Sequence, residues 1–156
     1  MCHRDIIILL TPWLVELSKR YNEIAYNLLF PFARSIITNI TMEGGFKPLV
    51  IEMNPQEGEY PSEKSEEVID QCDHVIITSS AIVNHTIDDL LRLARDKKVA
   101  LVGPGTPLTP ALFEHGINVL SGMIVTDPDL AFRIVGEVGT VQALKKASKY
   151  ATLVNV

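Results

Sequence analysis

Hydrophobic positions along the chain fall into short apolar runs divided by polar stretches that carry proline and glycine. Leu49-Val50-Ile51-Glu52, His74-Val75-Ile76-Ile77-Thr78 and Val99-Ala100-Leu101-Val102 are rich in β-branched side chains. Runs of this kind mark strands buried on both faces of a parallel sheet. Ile117 to Leu120 predicts a further strand, and Ser121-Gly122 a turn into Met123-Ile124-Val125, either a continuation or a sixth strand. Ile24 to Phe30 is the expected first strand of the sheet, broken by Pro31. Helical stretches alternate with these runs. Phe32 to Glu43, closed by Gly44-Gly45, reads as a helix, although the β-prone Ser35 to Thr41 leaves an extra strand as the alternative. Asn54 to Ser62 is a surface loop and Glu63 to Gln71 a short polar helix. Thr86 with Asp89 has capping-box spacing ahead of Leu90, Leu91, Leu93 and Ala94. Thr109-Pro110 opens another helix that ends at Gly116. Asp127-Pro128 starts a last helix pair, Asp129 to Val135 and Val141 to Ser148. Strands alternating with helices predict an α/β fold: a three-layer, doubly wound, mostly parallel open sheet.

The amino-terminal run Ile6 to Leu10 is apolar but too short to cross a bilayer, and Glu16, Lys19 and Arg20 follow it. It is either a buried strand or an apolar helix end. Thr11-Pro12 then opens a helix, Trp13 to Tyr21, with Trp13, Leu14 and Leu17 along one side. Residues 1–22 are therefore expected to form an amino-terminal apolar helical segment and 23–156 the sheet domain. An apolar segment beyond the sheet's own helices is free to pack against a second copy, so a homodimer is expected.

Composition narrows the partners. With 47% hydrophobic and 21% charged residues in 156, the chain reads as an ordinary globular domain. A net charge of -5 leaves no basic stripe to neutralise phosphates, which excludes a nucleic-acid partner. Lys145, Lys146 and Lys149 are the one basic cluster and read as a solvated helix face. No membrane span is expected, and two cysteines without a signal peptide point to the cytoplasm. Cys2, His3, Cys72, His74, His85 and His115 show no metal-ligand spacing, so no metal site built by the protein alone is expected.

Open α/β sheets bind ligands outside the carboxyl ends of their strands. That rule selects Leu29-Phe30-Pro31-Phe32, Glu52-Met53-Asn54, Thr78-Ser79-Ser80, Gly103 to Pro107 and Ser121-Gly122, with Asn84-His85-Thr86 as a second tier. The candidate ligand contacts are Glu52, Asn54, Thr78, Ser79, Asn84, His85, Gly103, Pro104, Gly105, Thr106 and Gly122. Gly103 and Gly105 leave backbone amides uncovered beside a helix start, a place where anions bind. The alternative is a rigid strand-to-helix turn with no ligand. A dinucleotide is disfavoured because the turn Leu28-Leu29-Phe30-Pro31 lacks glycine. No serine stands in a nucleophile elbow, and no glycine-rich loop ends in Lys-Ser or Lys-Thr.

Several segments resemble one family. They are Ile51-Glu52-Met53-Asn54-Pro55 with Glu57-Gly58-Glu59-Tyr60-Pro61, Cys72-Asp73 ahead of Val75 to Thr78, and Val83-Asn84-His85-Thr86-Ile87. The most specific is Leu101 to Gly116, with Gly-Pro-Gly-Thr-Pro-Leu-Thr-Pro followed by Leu112-Phe113-Glu114-His115-Gly116; Leu120-Ser121-Gly122, Val125 and Ala131 to Val135 continue it. Together, from Ile24 to Leu153, the chain is similar to the Rossmann-like family of unknown function labelled for heavy-metal chelation. The resemblance implies a preceding domain like the enolase amino-terminal fold and a site between the two domains. That domain is expected to be absent here, and Leu28 stands where the family tends to have glycine before Phe-Pro.

Two functions follow. One is a protein that binds a small molecule or a metal complex at the strand tips, with its cofactor and any catalysed reaction left open. The other is a non-catalytic interaction module that needs a partner chain to complete the crevice.

Overall fold

The computed structural model describes residues 5–9, 49–137 and 139–155. Its core is a seven-stranded sheet: β1 (Asp5–Leu9), β2 (Leu49–Glu52), β3 (Tyr60–Pro61), β4 (His74–Thr78), β5 (Lys98–Val102), β6 (Ile117–Val125) and β7 (Ser148–Val154). The strand order is β3-β2-β1-β4-β5-β6-β7. All neighbours run parallel except β6 and β7, which are antiparallel. The chain starts in the middle, builds outward to β3, returns past β1 and builds the other way. This is a doubly wound α/β fold, as the alternation of runs predicts.

Among the described residues five short α-helices accompany the sheet: α1 (Ser65–Asp70), α2 (Ser80–Val83), α3 (Ile87–Leu93), α4 (Pro128–Gly136) and α5 (Val141–Leu144). Two 3₁₀ turns are described as well, Ser62–Lys64 between β3 and α1 and Pro110–His115 between β5 and β6. Strand alternation sets the core. Val75 and Ile77 of β4, Val99 and Leu101 of β5, and Ile117 and Leu120 of β6 are buried with Ile51 against Val68, Ile69, Leu90 and Ala94. Those last four lie on α1 and α3 or just beyond α3, and the two helices pack side by side on this face. Each large side chain so buried contributes about 1.5–3 kcal/mol. On the opposite face Ile76, Ala100, Val102 and Val119 are half-buried.

β2 and β4 have the expected bounds, and β5 begins one residue earlier. Other elements differ. Asp5–Leu9 falls in the segment expected to be helical, yet it is the strand between β2 and β4, the strand alternative for that run. Its backbone is paired on both sides, so these residues form no separate docking segment. The expected helix Trp13 to Tyr21, strand Ile24 to Phe30 and helix Phe32 to Glu43 lie outside the described residues, as does the boundary at 22/23. The loop from Asn54 contains β3, because Tyr60 and Pro61 reach back to pair with Ile51 and Glu52. Ser121-Gly122 is no turn: β6 runs through it unbroken. Thr86 stands at the start of α3 but makes no cap bond. Its hydroxyl donates instead to Asn84 Oδ1 at 2.6 Å. Asp127 does cap α4, accepting from Leu130 N at 3.0 Å. The last helix stops at Leu144, and Ser148 to Val154 form β7, placing Lys149 on a strand. Tyr150, Thr152 and Val154 are strand formers, and pairing with β6 outweighs their place after a helix start.

Candidate functional site

A doubly wound sheet has a switch point where successive crossovers leave in opposite directions, and the crevice there is its ligand position. Here β1 is the switch strand, flanked by β2 and β4. In register, Leu9 is level with Glu52 on one side and one step beyond the Ile8–Ile77 pair on the other, which puts it level with Thr78. Thr78 pairs with Val102, Val102 with Ser121, and Ser121 with Thr152. Laterally paired residues point to the same face. Glu52, Thr78, Ser121 and Thr152 therefore share the face opposite α1 and α3, with Val102 standing between Thr78 and Ser121. Glu52 and Thr78 stand two strands apart, about 10 Å.

Glu52 is only 2% exposed at the end of β2. Thr78 Oγ1 lies 2.9 Å from Ser80 Oγ and accepts from Ser80 N at 3.3 Å, so the turn out of β4 holds two hydroxyls together. Ser121 Oγ and Thr152 Oγ1 are 3.2 Å apart. On the same face, toward the start of the strands, a cleft of about 300 Å³ opens over Ile76, Ala100 and Val119. His74 and Lys98 also line it.

The remaining candidates gather elsewhere. Ser79, Gly103, Thr106 and Gly122 make a close-packed junction. Ser79 N donates to Val102 O at 2.9 Å and Gly103 N to Ser121 O at 3.0 Å, so the ladder runs one residue past β4 and β5. Gly103 has φ +148°. A Cβ there would collide with Ser79 Oγ and lie 3.2 Å from Ser79 Cβ. Thr106 N donates to Gly103 O at 3.1 Å, closing the turn. A Cβ on Gly122 would lie 2.5 Å from Thr106 O and 3.2 Å from Leu108. That approach explains the glycine inside β6. Thr106 is 4% exposed, and its hydroxyl has no hydrogen-bond partner among the described residues.

The expected row of uncovered amides is thus largely used internally. Gly103 N donates to Ser121 O of β6, Thr106 N donates to Gly103 O within the turn, and Pro104 and Pro107 have no N–H, which leaves the exposed Gly105. Asn84 Oδ1 accepts from both Thr86 N and Thr86 Oγ1, which makes it a turn residue. Asn54 and His85 are exposed, and His85 adopts φ 63°. None of the candidates lines the 300 Å³ cleft. None lines the cleft of about 380 Å³ beside Met53 and Ser62, or that of about 520 Å³ between Arg92, Arg95 and His115. Sequence reasoning stopped short of Ser80 and Ser121, although both stand at the tips it selected. Thr152 carried no signal, because its strand was not expected.

Among the described residues no three His, Cys, Asp or Glu side chains group to hold a metal ion. Cys72 is buried and its thiol donates to Val68 O. The donors at the strand tips are hydroxyls and one carboxylate, hard oxygens that do not suit a soft heavy metal. No described helix is long and apolar enough to cross a membrane.

No curated protein matches the chain. Among solved structures, a protein of unknown function from Desulfitobacterium hafniense DCB-2, of the DUF364 family, is 32% identical over 98% of this chain with a TM-score of 0.69. A second DUF364 protein of unknown function, from Pyrococcus horikoshii, is 20% identical over 98% of the chain, also with a TM-score of 0.69. The chain spans 53% and 54% of those two proteins. The model of the family described as "Putative heavy-metal chelation" matches residues 32–154, and the chain belongs to this family, DUF364.

Proposed function

We propose that this chain binds a small, oxygen-bearing ligand, with or without a metal, at the carboxyl ends of β2, β1 and β4. The observation that carries this reading is the pair Glu52 and Thr78, brought level on either side of the switch strand and onto one face. The carboxylate accepts hydrogen bonds, while the Thr78 and Ser80 hydroxyls both donate and accept. A metal would enter as part of the ligand, its remaining coordination filled by ligand atoms. The family's description supports a metal-bearing ligand.

Thermal-shift screening against divalent metals, nucleotides and tetrapyrroles tests it. A ligand present at a hundred times its Kd stabilises by about 2.7 kcal/mol, or roughly 5–11 °C in a domain of this size. Thr78→Val should lower that shift while keeping its own unliganded baseline folded. A panel in which nothing stabilises the chain, or a ligand whose shift ignores Thr78→Val, overturns the site. A second reading, a non-catalytic interaction module, is favoured by α4, where Phe132 is 79% and Val135 61% exposed.

A further inference from the structure

The two edges of the sheet are unequal. At one end β3 is a two-residue strand, too short to template a neighbour. At the other end β7 presents seven residues, and no described strand pairs with its outer side. Its inner side is fixed by the register with β6, in which Ser121 faces Thr152 and Met123 faces Tyr150. Two bonds tell which residues point inward. Asn155 N donates to Asn118 O, and Thr126 N donates to Ala147 O, so odd-numbered positions exchange bonds with β6. In an antiparallel ladder such positions alternate with ones whose N–H and C=O point away. Ser148, Tyr150, Thr152 and Val154 therefore turn their backbone groups outward. Tyr150 is 43% and Val154 57% exposed, and Thr152 is exposed as well.

We propose that β7 pairs with β7 of a second copy of this chain, antiparallel about a twofold axis at Ala151. The outward set requires even-numbered residues to pair with even-numbered ones, and placing the strand's smallest side chain, Ala151, at the axis selects this register. Tyr150 stands opposite the partner's Thr152, and Thr152 opposite the partner's Tyr150, each pair exchanging two backbone hydrogen bonds. Ala151 meets its own copy at a non-hydrogen-bonded position, where the strands approach most closely and a small side chain fits. Charge permits the arrangement: Lys149, the strand's one charged residue, falls opposite the partner's Leu153 and not another lysine. An edge lysine opposes pairing when it meets its like. Tyr150, Thr152 and Val154 share the face of Ser121 and Val119, so the join carries that face on into the second sheet. A closed, isologous pair leaves β3 at both outer ends and does not propagate.

The experiment combines sedimentation of the full chain with amide exchange. At high micromolar concentration the mass should be that of two chains, falling to one on dilution. Thr152→Pro removes an outward N–H while keeping every backbone bond to β6, since proline is tolerated on the solvent side of an edge strand. It should abolish the dimer while leaving the circular dichroism unchanged. Thr152→Val, which loses only the hydroxyl contact with Ser121, should still dimerise. Wild-type exchange needs no variant: the Tyr150 and Thr152 amides should slow about tenfold or more between dilute and concentrated samples, with Ala151 and Leu153 slow in both. A monomer at every concentration overturns the pairing. So does a dimer whose Tyr150 and Thr152 amides exchange at the dilute rate, or one dissociated by Trp13→Glu and indifferent to Thr152→Pro.

Discussion

Replacing Gly103 by alanine tests whether the strand-tip loop is shaped by packing. Two costs add. At φ +148° an L side chain is strained, by about 1–3 kcal/mol. The new methyl also meets Ser79 Oγ and lies 3.2 Å from Ser79 Cβ. Ser79 cannot retreat, because its N–H is tied to Val102 O and its own carbonyl accepts from Ile82 N. Overpacking of this kind costs about 1–3 kcal/mol. Gly103→Ala should therefore lose about 2–6 kcal/mol. Gly105→Ala is the control: its methyl would lie 3.7 Å from Ser79 Oγ, an ordinary contact, and its change should stay within about 1 kcal/mol. Urea unfolding followed by far-ultraviolet circular dichroism reads all the values, and a double-mutant cycle with Ser79→Gly isolates the clash. The double variant should recover about 1–3 kcal/mol relative to additivity. Equal losses at Gly103 and Gly105, or strict additivity with Ser79→Gly, would refute the reasoning.

Three further outcomes are expected. Asp127→Ala removes the bond to Leu130 N and should cost about 1 kcal/mol in the same unfolding assay, as the loss of a helix cap does. His85, at φ 63°, should accept glycine without loss, whereas His85→Val should cost at least about 1–2 kcal/mol because a β-branched residue resists the left-handed region. The Tyr150 hydroxyl is pushed above its ordinary value of 10.0 by burial. The folded state therefore holds that proton more tightly than the unfolded one, so this contribution is present below the ordinary tyrosine value and lost as pH rises through the higher folded one. Absorbance titration at alkaline pH should show a late tyrosine phase that Tyr150→Phe removes.

What the sequence determined by itself is local or carried by composition. The apolar runs at Leu49, His74 and Val99 predict strands because a stretch buried on both sides must be apolar throughout, and the structure places them within a residue of those limits. Asp127-Pro128 and the glycine at 116 mark helix ends because caps are made by neighbouring residues, and both act so here. Only the tertiary structure decided the strand order, since nothing local says which parallel strand lies beside which. That order makes Asp5–Leu9 the switch strand and sets Glu52 and Thr78 on either side of it. It also divides the candidate residues. Gly103 and Gly122 read as candidate ligand contacts in the chain, yet each is small because another segment, Ser79 or Thr106, presses against it. The strand β7 was hidden for the same reason: Ser148 to Val154 hardly differs from a helix end by pattern, and its partner lies in β6, more than twenty residues back along the chain. Pairing across such a separation is a property of the assembled sheet, which short-range periodicity does not contain.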